Sequence, residues 1–118
     1  MQKPTTAVIR GTEADATLAA LGDYRFAALF SHGSLDVGVY APVGVDTQQP
    51  HTRDELYLVR AGSARFVDAA GTQDVSAGDV VFVAANAEHR FEAMSEGFSA
   101  WVLFWGPEGG EANQGGAK

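Results

Sequence analysis

Two histidines, a glutamate and a glutamine stand in this chain where metal ligands could stand. His51 follows the polar stretch Gln48-Gln49-Pro50, and His89 follows Asn86-Ala87-Glu88; each lies just ahead of an apolar run. Glu55 lies four positions after His51, and Gln49 two before it. Alternate side chains of an extended chain share a face. Gln49, His51 and Glu55 can therefore point the same way, and His89 can meet them from another strand. The donors are then two imidazole nitrogens, one carboxylate oxygen and an amide oxygen as fourth. Two histidines and a carboxylate with open positions suit Fe(II), and imidazole also serves Zn, Mn, Ni and Cu. The third histidine, His32, sits in a hairpin connection with no evident partner and reads as structural or surface. Asp54 adjoins Glu55 and so faces the other side; it is expected to be a solvated charge or a partner for Arg53 or Arg65.

The elements that must position these residues are short strands. From Tyr24 the apolar pattern has a period of two: Tyr24, Phe26, Ala28 and Phe30, then Leu35, Val37, Val39 and Ala41 beyond the turn Ser31-His32-Gly33-Ser34. Further strands are predicted over 56–60, 64–68, 72–75, 80–83, 89–93 and 98–105, with Gly62-Ser63, Ala70-Gly71 and Ala77-Gly78-Asp79 turning the chain between them. The stretch from Thr12 to Leu21 is the one helical candidate, with Thr12 as its cap. Short strands separated by turns at regular spacing predict an all-β sandwich or barrel. The organisation expected is an N-terminal arm over 1–22, a barrel over 23–106, and a flexible Gly-rich tail over 107–118.

Composition narrows the function classes. The 118 residues suit one domain, and 46% hydrophobic residues supply a core. A net charge of -7, with the arginines scattered singly, argues against a nucleic-acid surface. The absence of cysteine removes disulfides, zinc–thiolate sites and thiol chemistry. No run is long and apolar enough to span a bilayer, and Met1 to Arg10 has no signal-peptide pattern, so a cytoplasmic protein that does not bind membranes is expected. No Ser-His-Asp set, nucleophile elbow or cofactor fingerprint is present.

Two segments resemble the paired motifs of the cupins. Gln49-Pro50-His51-Thr52-Arg53-Asp54-Glu55 with the following Gly62 is similar to the first: two histidines one residue apart, a glutamate after three or four more, and a glycine after six. Gly78 through His89 is similar to the second: glycine, five residues, proline, any residue, glycine, two residues, histidine. Ala84 replaces the proline and Asn86 the glycine, and Asn tolerates the left-handed conformation that a glycine would supply. Gln49 replaces the first histidine. The family's final asparagine position falls on Ala93.

The resemblance, to small single-domain cupins, implies a jelly-roll barrel (a double-stranded β-helix) preceded by a short helix. It implies one divalent metal ion held by His51, Glu55 and His89, with Gln49 as a weaker fourth ligand. Glu55 would also be the candidate base. Tyr57 and Phe91 share strand parity with Glu55 and His89 and are expected to line the pocket, with Trp101 as a further wall. The bulky run Trp101 to Trp105 implies a strand buried on both faces and a homodimer interface. The implied activity is that of a dioxygenase or isomerase acting on a small chelating molecule. A binding or sensing module, and a metal-free barrel acting through its dimer surface, remain the alternatives.

Overall fold

A computed structural model describes residues 5–22 and 25–112. Two antiparallel sheets face each other. The larger contains β1 (Phe26–His32), β2 (Leu35–Tyr40), β3 (Asp54–Ala61), β6 (Val80–Val83) and β8 (Ser99–Trp105) in the order β1-β2-β8-β3-β6. The smaller contains β4 (Ser63–Asp68), β5 (Gly71–Ser76) and β7 (His89–Glu92) in the order β5-β4-β7. This is the antiparallel jelly roll implied by the motifs, and the strands fall where the period of two put them.

The core lies between the sheets. Tyr40, Tyr57, Val59 and Val102 from the larger sheet meet Ala64, Phe66 and Phe91 from the smaller one, all buried. Alternation explains the composition: in β3, Glu55, Tyr57 and Val59 face inward, and Leu56, Leu58 and Arg60 face outward. One irregularity breaks the pattern. The β1–β2 register slips between Ala28 and Phe30, a bulge that ends the simple alternation read along β1. Tyr24 lies outside the described residues.

The helix, α1 (Gly11–Ala19), starts ahead of Thr12, the predicted cap, and no side chain caps it at Arg10. Tertiary contacts hold it instead. Ala14 and Leu18 pack on Val39 and Ala41, while Arg60 donates to Gly11 O at 3.2 Å, Asp15 Oδ1 at 2.9 Å and Ser99 Oγ at 2.9 Å.

The turn residues of both motifs have local reasons. Gly62 sits at φ +76°, where a Cβ would stand 2.8 Å from Phe98 Cα. Asn86 adopts φ +67° in the glycine position of the second motif, and Ala93 adopts φ +51°. Asp54 departs from expectation. It is buried, not solvated, and accepts from Ala85 N at 2.9 Å and from Glu111 N at 3.0 Å. Those bonds, with Gly109 N donating to Thr52 O at 2.7 Å, tie the described part of the C-terminal segment to the start of β3. Residues 113–118 lie outside the described residues.

Candidate functional site

β3 carries Glu55 into the space between the sheets, and β7 carries His89 to meet it. Both side chains are 1% exposed, with His89 Nε2 at 3.3 Å from Glu55 Oε1. Among the described residues, neither Glu55 oxygen has a hydrogen-bond partner. A buried carboxylate in that condition is costly unless a cation or donor reaches it. The other ring nitrogen, Nδ1, lies 2.8 Å from Ala87 O. A carbonyl only accepts, so Nδ1 carries a proton and Nε2 is the atom turned to the carboxylate.

Tyr57, two residues along β3, places its hydroxyl 3.0 Å from His89 Nε2 and donates to Gln48 Oε1 at 2.8 Å. Burial, reinforced by the Glu55 charge, raises the Tyr57 phenol well above its ordinary range, so it keeps its proton. Burial alone would lower the His89 imidazole. The Glu55 carboxylate, the Ala87 carbonyl and the charge of Asp46 outweigh it, and the net shift is upward.

His51 faces the same region from the loop before β3. Its ring centroid is 6.2 Å from that of His89 and 4.8 Å from that of Phe104. Its carbonyl accepts from Asn86 N at 2.6 Å, which pins the two motif segments together. His51 stands back from the Glu55–His89 pair, and among the described residues no three His, Asp or Glu side chains form a ready-made metal cage.

The predicted site residues thus separate. Glu55, His89 and Tyr57 converge, and His51 approaches them. Gln49 is exposed, and the amide that reaches the site is that of Gln48. The parity argument fails here for a physical reason: β3 starts at Asp54, so the chain from Gln49 to His51 is loop, where alternation does not hold. Phe91 is fully buried and meets Tyr57 edge to face at 4.9 Å, behind the site rather than on its open wall. Trp101 corrects another expectation. Its register opposite Val39 and Leu58 turns it to the outer face of the sheet, where it packs against α1 and lies 5.4 Å under the Arg60 guanidinium.

A cavity of about 440 Å³ opens onto this region, bounded by Phe26, Tyr40, Gln48, His51, Tyr57 and Phe104. Arg53, ion-paired with Asp36, flanks it and lies 5.9 Å over the Phe104 ring. Glu55 and His89 sit behind the cavity wall. Sequence reasoning missed Asp46, Gln48 and Arg53. Gln48 and Gln49 are the same residue type side by side, and no pattern inside a Pro- and Gly-rich loop tells them apart.

Comparison with known proteins places these features in a family. Residues 37–106, from β2 through β8, match the cupin domain family. An uncharacterized protein from Streptomyces coelicolor is 36% identical over 91 residues, covering 75% of this chain and 87% of its own length. Among solved structures, a cupin-2 domain protein from Shewanella frigidimarina superposes with a TM-score of 0.66 at 14% identity, covering 81% of this chain and 92% of that one. The DMSP lyase DddQ from Ruegeria pomeroyi superposes with a TM-score of 0.63 at 25% identity, over 74% of this chain and 51% of the lyase. The motif match across most of the barrel, joined to the jelly roll that carries it, shows that the chain belongs to the cupin family.

Proposed function

We propose that this cupin binds one divalent metal ion through His51, Glu55 and His89, and uses the adjoining cavity to hold a small organic molecule that chelates the metal. The observation that carries the reading is the Glu55 carboxylate: buried, without a hydrogen bond on either oxygen, and faced by an imidazole nitrogen. That donor chemistry fits Fe, Zn, Mn or Ni. Gln49 is left out of the ligand set because it is exposed. Ala87 O fixes the His89 tautomer, the outer-shell contact that a ligating histidine needs.

A bound ion would supply Lewis acidity or oxygen activation. The chain's own residues do the rest. Phe26, Tyr40 and Phe104 exclude water from one side of the cavity, and Tyr57 holds a proton at its Oη beside the buried pair. Arg53 and Asp36 place an ion pair at the cavity's flank, a polar rim on an otherwise aromatic wall. The similar Ruegeria protein is a DMSP lyase, so lyase chemistry joins dioxygenation and isomerisation among the reaction classes to assay.

Metal analysis of untagged protein tests the reading. Stoichiometric metal is expected in wild type and a large loss in Glu55→Gln and His89→Ala. Full occupancy persisting in a His51→Ala, His89→Ala double variant refutes this ligand set. A second reading, a metal-free binding barrel, is favoured by the set-back position of His51 and the closed Tyr57–His89–Glu55 contacts. It predicts no metal uptake even after loading, with ligand binding intact. We also propose that a second copy of this chain covers the outer face of the larger sheet.

A further inference from the structure

We propose that Asp46 is a positioning residue for this site: acting through Gln48, it commits the Tyr57 hydroxyl proton to the amide and leaves the phenol oxygen as an acceptor on the Glu55–His89 side. Only the metal-binding arm of the test below rests on the ligand assignment above.

Asp46 is a buried acid in the loop between β2 and β3, 7% exposed. Four donors converge on it. Tyr40 Oη donates to Oδ1 at 2.5 Å and Gln48 N to the same oxygen at 3.1 Å. Gln48 Nε2 donates to Oδ2 at 2.7 Å and Phe91 N at 2.8 Å. The residue thereby links β2, its own loop and β7, each of which bounds the cavity or carries a site residue.

The bond from Gln48 Nε2 decides the rest. A carboxylate in this role accepts and does not donate, so the end of the Gln48 amide that faces it must be the NH2 group. The carbonyl end, Oε1, must then face Tyr57, 2.8 Å away. Oε1 has no proton to give, so the single Tyr57 proton goes to Gln48. The 3.0 Å contact between Tyr57 Oη and His89 Nε2 is left with the phenol oxygen as acceptor. A cation or a ligand hydroxyl arriving on that side meets a lone pair, not a competing proton. Replacing Asp46 by asparagine offers an NH2 group as well as a carbonyl. The Gln48 amide is then free to turn, and the Tyr57 proton can swing toward His89 and occupy the nitrogen a metal needs.

Asp46→Asn and Gln48→Leu test this, the second leaving the Tyr40 and Phe91 bonds to Asp46 in place. In metal-free, isotopically labelled protein, the Tyr57 hydroxyl proton is expected to give its strong Overhauser contacts to the Gln48 side chain. Strong contacts to the His89 ring in wild type overturn the proposal, whether or not the protein takes metal. In the second arm, Co(II) affinity is measured by chelator competition. Each variant is expected to weaken it by about 10- to 100-fold, the usual effect of losing an outer-shell partner. In a Tyr57→Phe background, which has no proton to misplace, the same substitutions are expected to have little effect. An undiminished loss in that background shows that Asp46 only holds the loop, and overturns the proposal. If wild type binds no Co(II), the ligand assignment falls, and the hydroxyl contacts alone decide the role of Asp46.

Discussion

His89 Nδ1 is held by Ala87 O, and its Nε2 lies 3.0 Å from the Tyr57 oxygen and 3.3 Å from the Glu55 carboxylate, whose charge favours the protonated ring. This makes the metal-free site pH-sensitive in a definite direction. The imidazole is raised above its ordinary value of 6.5 in the folded chain. The unfolded state binds the proton less tightly, so the stabilisation is fully present below the unfolded pKa and is lost as pH rises through the raised folded value. Chelator-treated protein is therefore expected to melt at lower temperature as the pH climbs through that window, and Glu55→Gln should flatten the slope. A flat wild-type profile would count against the charged pair. Metal binding must displace the Nε2 proton, so loaded protein should show tighter metal retention at higher pH instead. At this scale the sequence was informative where residues lie on strands. Glu55 and Tyr57 obeyed the parity of β3, whereas Gln49 and Asp54 were misplaced. Gln49 belongs to a loop, and Asp54 is buried by bonds to Ala85 and Glu111 that come from 31 and 57 residues away.

Among the elements, the turns decide how the strands are stacked, and their glycines are not equivalent. At Gly62 an added Cβ meets Ser95 Oγ at 2.6 Å and Phe98 Cα at 2.8 Å, on top of a φ of +76°. At Gly78 the φ is +98°, but nothing lies within 4 Å. Gly62→Ala is therefore expected to combine overpacking with backbone strain, roughly 2 to 4 kcal/mol. Gly78→Ala should incur the backbone term alone, roughly 1 to 2 kcal/mol. Urea denaturation of the two variants checks the difference, and equal losses would show that the close approach to Phe98 is not felt. Asn86→Gly should be nearly neutral, because Asn86 already tolerates φ +67°. The strands and their turns were legible because period and punctuation are local signals. The bulge in β1 and the start of α1 were not, because pairing with β2 and the grip of Arg60 set them, and both are tertiary.

At the scale of the whole molecule, the outer face of the larger sheet is left partly uncovered. Leu56 pairs with Phe82 and Leu103, and Leu58 with Val80 and Trp101, so an apolar band runs across β6, β3 and β8. The helix covers only the Trp101 end of it. Val80 and Phe82 are left 60% and 58% exposed on β6, an edge strand of that sheet. The bulky run from Trp101 to Trp105 signalled this in the sequence. The structure sharpens the signal, since Val102 and Phe104 turn inward while Trp101, Leu103 and Trp105 turn out. The occupant proposed, a second copy, must overcome the repulsion between two chains of net charge -7. It can do so most cheaply over a band in which none of Leu56, Leu58, Val80, Phe82 and Leu103 is charged. Phe82→Asp places a new carboxylate in the exposed β6 end of that band, where burial against a second copy would strip it of water. Wild type is expected to sediment as a dimer at micromolar concentration and Phe82→Asp as a monomer. Metal content should be unchanged, because Phe82 points away from the cavity. A monomeric wild type removes the second copy from the picture and leaves the exposed β6 edge as the surface for a different partner.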